Sequence, residues 1–143
     1  MAAKKILVVD DEAYIVELIQ VNLEKAGYQV TTAYDGEEAW KKVEEEGPDL
    51  IVSDVMMPKL DGFGLLKKLK ETMSTKSIPV VMLTAKAGDQ DVFKGWHFGA
   101  DEYLTKPFNP AQLVNIVNII FKSRAEEKKK RMEGKYVINL GDY

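Results

Sequence analysis

"DLIVSD", residues 49–54, decides the fold. It follows Gly47-Pro48, is apolar from Leu50 to Val52, and closes on an acid. A short run that is continuously apolar, rather than apolar at every second position, belongs to a strand buried on both faces. Two other runs share that character. "KILVVD" (5–10) also ends in acid, and "IPVVMLTA" (78–85) ends around a threonine. "VTTAYD" (30–35) is mixed, which suits an edge strand, and "DEYLTK" (101–106) completes the set.

Helical periodicity fills the intervals. Ile15, Leu18, Ile19 and Leu23 predict one helix face, with Gly27 as its stop. Asp35 is placed to cap a second helix, with Glu38 in capping-box position and Ala39, Trp40 and Val43 on the apolar side. Leu66, Leu69 and Met73 mark a third helix; Val92, Phe93 and Trp96 mark a fourth. Asn109 caps a fifth, with Pro110 at its first position. Strand and helix thus alternate five times. The expected fold is α/β: a doubly wound five-stranded parallel sheet, flavodoxin-like, in the order 2-1-3-4-5, with helices on both faces.

Composition narrows the chemistry. The 143 residues suit one core and carry a net charge of −3. That charge calls for neither a nucleic-acid nor a membrane partner. There is no cysteine and one histidine, His97, which removes thiolate and His-cluster metal sites. "MAAKKILVVDDE" is charged too early for a signal peptide, and no apolar run approaches the ~20 residues of a membrane span. The expected location is the cytoplasm.

In open parallel sheets, sites form beyond the carboxyl ends of the strands. Asp10 and Asp11 stand at that end of the first strand, Asp54 of the third, Thr84 of the fourth and Lys106 of the fifth. Pro107 cannot extend the ladder and biases Lys106 toward extended backbone, so the lysine is held in a definite direction. Each residue alone is unremarkable: an acid at a strand end is usually a turn or cap, and a lysine is usually solvated. Together they define a crevice. Two carboxylates ~4 Å apart repel by about 4 kcal/mol at an effective dielectric of ~20, and a hard divalent cation such as Mg2+ relieves this. Carboxylate, metal, hydroxyl and ammonium make a site for a phosphoryl group. Asp54 is the candidate nucleophile, because an aspartate can form an acyl phosphate.

"VVDDE", "SDVMMPKLDGFGLLKKLK", "VVMLTA" and "GADEYLTKPF" occur in order, and over residues 4–121 the chain resembles the receiver domain of bacterial two-component response regulators. The resemblance implies a phosphoacceptor switch that takes a phosphoryl group onto Asp54 from a sensor histidine kinase or a histidine phosphotransfer protein. It implies Mg2+ bound by Asp11, Asp54 and the backbone carbonyl of Met56, with Asp10 contributing through water. Thr84 and Lys106 would hold the phosphoryl oxygens. Thr84 and Tyr103 would form a switch that reshapes the face of the fourth helix, fifth strand and fifth helix toward an output partner or domain. It implies a signalling domain with only weak self-phosphorylation and self-dephosphorylation, not an enzyme. Met56 and Lys86, two residues beyond Asp54 and Thr84, would border the water path to the acyl phosphate.

Two other readings compete. A haloacid-dehalogenase-type phosphohydrolase usually carries a second aspartate two residues after the nucleophile, where this chain has Met56. A flavodoxin needs a hydroxyl- and glycine-rich loop after the first strand, where this chain has "DDEAY". Pro58, Asp61 and Gly62 read as turn and cap residues, Trp40 and Trp96 as packing, and His97 as a surface or partly packed histidine.

Residues 1–121 are expected to form the domain. Residues 122–143 are a charged helical extension and tail, either a linker or the start of an output domain. Over 122–135, seven basic and three acidic residues leave +4, without the interleaved aromatics of a nucleic-acid contact. Leu113, Val117 and Ile120 supply one face of the fifth helix; Val114, Ile116, Ile119 and Phe121 add apolar surface beyond it, suited to an output contact or a homodimer.

Overall fold

The computed structural model describes residues 3–85 and 99–133. Five strands, β1 (Lys5–Val9), β2 (Gln29–Ala33), β3 (Leu50–Asp54), β4 (Val80–Thr84) and β5 (Glu102–Thr105), form one sheet. Every neighbouring pair is parallel and the order is β2-β1-β3-β4-β5, as the alternation predicts. Four helices are described: α1 (Ala13–Lys25), α2 (Gly36–Glu46), α3 (Gly62–Glu71) and α4 (Pro110–Met132). The helix expected around Val92, Phe93 and Trp96, together with Lys86 and His97, lies outside the described residues, so α4 is the one the sequence numbers fifth.

β1 from Ile6 onward, β3 and β4 are buried throughout, and β2 at the edge is mostly half-buried. Successive side chains point to opposite faces, which splits the core in two. Leu7, Val9, Ile51, Val80 and Met82 pack with Ala39 and Val43 of α2 and Leu65, Leu66 and Leu69 of α3. Ile6, Val8, Leu50, Val52, Val81, Leu83 and Leu104 pack with Val16, Ile19 and Leu23 of α1 and Leu113 and Val117 of α4.

Local signals explain the helix ends. Asp35 accepts a bond from the Glu38 amide at 2.8 Å, and α2 stops at Gly47, whose φ of +57° a side chain would oppose. The returning Glu38 carboxylate meets the Tyr34 amide rather than that of the cap residue. Asn109 caps α4 by accepting from the Ala111 amide at 2.9 Å.

Two expectations need correction. Leu18 is exposed, and Val16 takes its place in the core beside Ile19 and Leu23. At 100° per residue, positions 16, 19 and 23 cluster within about 60°, whereas 18 falls well outside that arc. Met73 is exposed and lies beyond α3, because Thr72 turns to extended backbone and its hydroxyl donates to the Lys68 carbonyl.

α4 runs without a break across Phe121 and Lys122. Arg124 donates to the Ser77 carbonyl at 2.7 Å and pairs with Asp101 at 3.1 Å, so the helix is tied to the start of β4 and β5. The other Asp101 oxygen accepts from the Val80 amide at 2.8 Å.

Candidate functional site

Strand register sets the positions. Val9 pairs with Ser53, so Asp10 and Asp54 leave the sheet side by side. Asp54 pairs with Leu83 and Thr84 follows; Thr84 pairs with Thr105 and Lys106 follows. The Lys106 amide donates to the Thr84 carbonyl at 2.7 Å, and the Lys106–Pro107 peptide bond is cis.

The Lys106 ammonium lies across this rim. It stands 2.7 Å from Asp10 Oδ2, 3.4 Å from Glu12 Oε1 and 3.5 Å from Asp54 Oδ2. The contact to Asp10 is an ion pair directed outside hydrogen-bonding geometry, which leaves the buried Oδ2 without a donor; Oδ1 accepts from the Glu12 amide at 3.0 Å. Asp10 is fully buried and Asp54 is 5% exposed.

Charge in this confined space perturbs titration. Burial, then the charge of Asp10, push Asp54 up to about 6, against the pull of Lys106 and the Met56 amide. Burial likewise raises Asp10, although Lys106 and the Glu12 amide oppose it. Burial works to lower Lys106, but Asp10, Asp54 and Glu12 outweigh it and hold the ammonium above its ordinary value. Glu12 is lowered by the Tyr14 hydroxyl and by Lys106.

Gly62 sets the other wall. A β-carbon there would lie 2.2 Å from the Asp54 carbonyl oxygen and 2.8 Å from Val55 Cα, so only glycine lets α3 start this close. The Gly62 amide donates to the Val55 carbonyl, and Asp61 caps α3 through the Gly64 amide at 2.7 Å. Asp61 is thus the cap residue its spacing predicts.

The structure brings Asp10, Asp54 and Lys106 into contact and sets Thr84 beside them, buried at the end of β4. Asp11 is exposed at the rim, and Met56 is 72% exposed in the loop after β3. Tyr103 is half-buried opposite Met82 and packs against the core face shared with α2 and α3. Sequence reasoning missed Glu12. Its signal was adjacency to Asp10 and Asp11, but only the fold turns it toward Lys106.

Carboxylate oxygens of Asp10, Asp11 and Glu12 come within 4.8 Å of one another, with Asp54 outside that trio. The donors are all hard oxygens, the ligand type that suits a hard divalent cation.

A five-stranded parallel sheet with Asp10, Asp54, a hydroxyl and a lysine at the carboxyl ends of its strands defines a class of protein. The model of the response regulator receiver domain matches residues 6–118, and the chain belongs to that family. It is 50% identical over 141 residues to the alkaline phosphatase synthesis transcriptional regulatory protein PhoP of Bacillus subtilis, covering 94% of this chain and 58% of that protein. It is 45% identical over 114 residues to the phosphate regulon transcriptional regulatory protein PhoB of Pseudomonas aeruginosa, covering 80% of this chain and 50% of that one. Among solved structures it resembles the chemotaxis response regulator CheY4 of Vibrio cholerae, with a TM-score of 0.79 at 36% identity over 83% of this chain and 99% of that chain. It also resembles DrrB of Thermotoga maritima, an OmpR/PhoB homolog, with a TM-score of 0.78 at 35% identity over 86% of this chain and 54% of that chain. The chain spans about half the length of the curated relatives it matches. No helix among the described residues is long and apolar enough to cross a membrane.

Proposed function

We propose that this chain is a phosphoacceptor signalling switch whose acceptor is Asp54. The observation that carries the reading is the Asp54 carboxylate at the end of β3, nearly buried, 3.5 Å from the Lys106 ammonium and crowded by Asp10. The donor is a sensor histidine kinase or a histidine phosphotransfer protein. A carboxylate oxygen of Asp54 forms the new P–O bond while the P–N bond of the donor phosphohistidine breaks, its electron pair staying on the imidazole. Lys106 and the Thr84 hydroxyl neutralise and orient the phosphoryl oxygens.

Mg2+, held by Asp11, Asp54 and the Met56 carbonyl, with Asp10 acting through water, would supply charge neutralisation at those oxygens. Glu12 stands beside this set, but its two carboxylate oxygens are engaged by Lys106 and the Tyr14 hydroxyl. Self-phosphorylation and self-dephosphorylation are weak side reactions, so the chain works as a switch in the cytoplasm rather than as an enzyme.

Output runs through Thr84 and Tyr103. A phosphoryl group that draws the Thr84 hydroxyl inward favours the packing in which Tyr103 moves toward the vacated space, a population shift between two arrangements. The surface this reshapes includes β5 and α4, whose Ile119 is 57% exposed, and it meets an output partner, an output domain or a second copy. The domain proper is residues 1–121, and 122–143 lead toward output.

Acetyl phosphate with Mg2+, read by intact mass on wild type and Asp54→Asn, tests the assignment. One labile phosphoryl group is expected, absent in the variant and absent in EDTA. No gain where a control receiver is labelled would overturn it.

A further inference from the structure

The Lys106 ammonium has three N–H donors, and three carboxylates already surround it: Asp10 at 2.7 Å, Glu12 at 3.4 Å and Asp54 at 3.5 Å. Of the three, Glu12 alone accepts a hydrogen bond from the ammonium, so a phosphoryl group on Asp54 that draws on Lys106 competes first with Glu12. Asp10 is fully buried and cannot swing away, and Asp54 carries the group itself. Glu12 is the contact that can yield.

Its local geometry supports that role. Glu12 occupies the N-cap position of α1 yet makes no side-chain cap bond, so its carboxylate is not spent on the helix. Oε1 accepts from Lys106 instead, and Oε2 accepts from the exposed Tyr14 hydroxyl at 2.8 Å. The tyrosine orients the carboxylate, and the carboxylate holds the lysine.

We propose that Glu12, braced by Tyr14, is a positioning residue that competes with the incoming phosphoryl group for Lys106 and so restrains phosphorylation of Asp54. The inference rests on the phosphoacceptor reading. It concerns the step in which an Asp54 oxygen bonds to phosphorus as the P–O bond to the acetate of acetyl phosphate breaks, acetate leaving with the electron pair. No proton needs to move at neutral pH.

The test compares wild type, Glu12→Gln, Glu12→Asp and Tyr14→Phe in the full chain, measuring phosphorylation rate with acetyl phosphate and Mg2+ affinity by calorimetry. Loss of one exposed ion pair predicts a rate increase of about 2- to 5-fold for Glu12→Gln. Glu12→Asp keeps the charge but falls short of Lys106, so it is also expected to be faster than wild type. Tyr14→Phe should show a smaller increase. Mg2+ affinity should stay within roughly 3-fold throughout, since Glu12 acts on the lysine rather than as a metal ligand.

A Glu12→Gln rate equal to or below wild type overturns the proposal. So does Glu12→Asp behaving as wild type, which would leave only a long-range field, or a fall of roughly 10-fold or more in Mg2+ affinity, which would make Glu12 a ligand. Failure of wild type to label at Asp54 sinks the phosphoacceptor reading instead, so the two failures are distinguishable.

Discussion

Replacing Asp54 by asparagine should make the metal-free protein more stable, and only above a defined pH. The carboxylate has an ordinary value of 3.8 and is raised to about 6 by burial and by the charge of Asp10. Between those values the folded state holds a proton that the unfolded chain releases. Stability is therefore fully present below pH ~3.8 and is lost as pH rises through about 6. A shift of about 2 units corresponds to at most ~3 kcal/mol. Water reaching the open rim screens part of this, so ~1–2 kcal/mol is the working figure. Asparagine keeps the volume and removes the charge, while Lys106 retains its closer partners, Asp10 and Glu12.

Urea denaturation in EDTA from pH 4 to 8 measures the difference. The two proteins should coincide near pH 4 and separate through pH 5–6. Above that, Asp54→Asn should unfold at a urea concentration higher by roughly 0.5–1 M, with unchanged slope. Adding Mg2+ should narrow the gap by stabilising wild type alone. Equal or lower stability of the variant at pH 8, or a gain independent of pH, would refute the claim that Asp54 is strained by its surroundings.

Three further outcomes follow from the same geometry. Lys106→Met strands the Asp10 carboxylate, which is fully buried and already lacks a donor at Oδ2; metal-free stability at neutral pH should drop by about 2–4 kcal/mol, read by the same urea titration. Gly62→Ala drives a β-carbon to 2.2 Å from the Asp54 carbonyl oxygen, so it should cost about 3 kcal/mol or more and abolish acetyl-phosphate labelling, with thermal melts separating the two effects. Arg124→Ala removes the bonds to Ser77 and Asp101 and should cost about 1 kcal/mol, with faster hydrogen exchange at the Val80 amide that Asp101 accepts from.

Much of the architecture follows from local pattern. Continuously apolar "LIV" and "ILVV" runs can be stable only with both faces covered, and alternation with helices forces parallel strands. Caps such as Asp35 and Asn109 act within three residues, so spacing reveals them. Leu18 and Met73 depart from the pattern because periodicity gives a face only to within a flank, and because the helix end at Thr72 depends on a side-chain bond, not on hydrophobicity. Local pattern marks residues 122–143 only as a charged extension; that Arg124 folds back onto Asp101 and Ser77 depends on contacts 23 and 47 residues away.

The site divides the same way. The sequence by itself determined which residues stand at the carboxyl ends of the strands, because parallel strands of known order carry their last residues to one rim. It could not determine how far Lys106 reaches. β5 lies three strands from β1, ~14 Å at the usual strand spacing, more than a lysine side chain spans on a flat sheet. In the twisted sheet the ammonium stands 2.7 Å from Asp10, and the entry into α1 sets Glu12 against it, with Tyr14 bonded to Glu12. Strand ends are a property of local hydrophobic pattern. The sharing of one ammonium among three carboxylates is a property of distances between segments up to 96 residues apart, which only the tertiary structure sets.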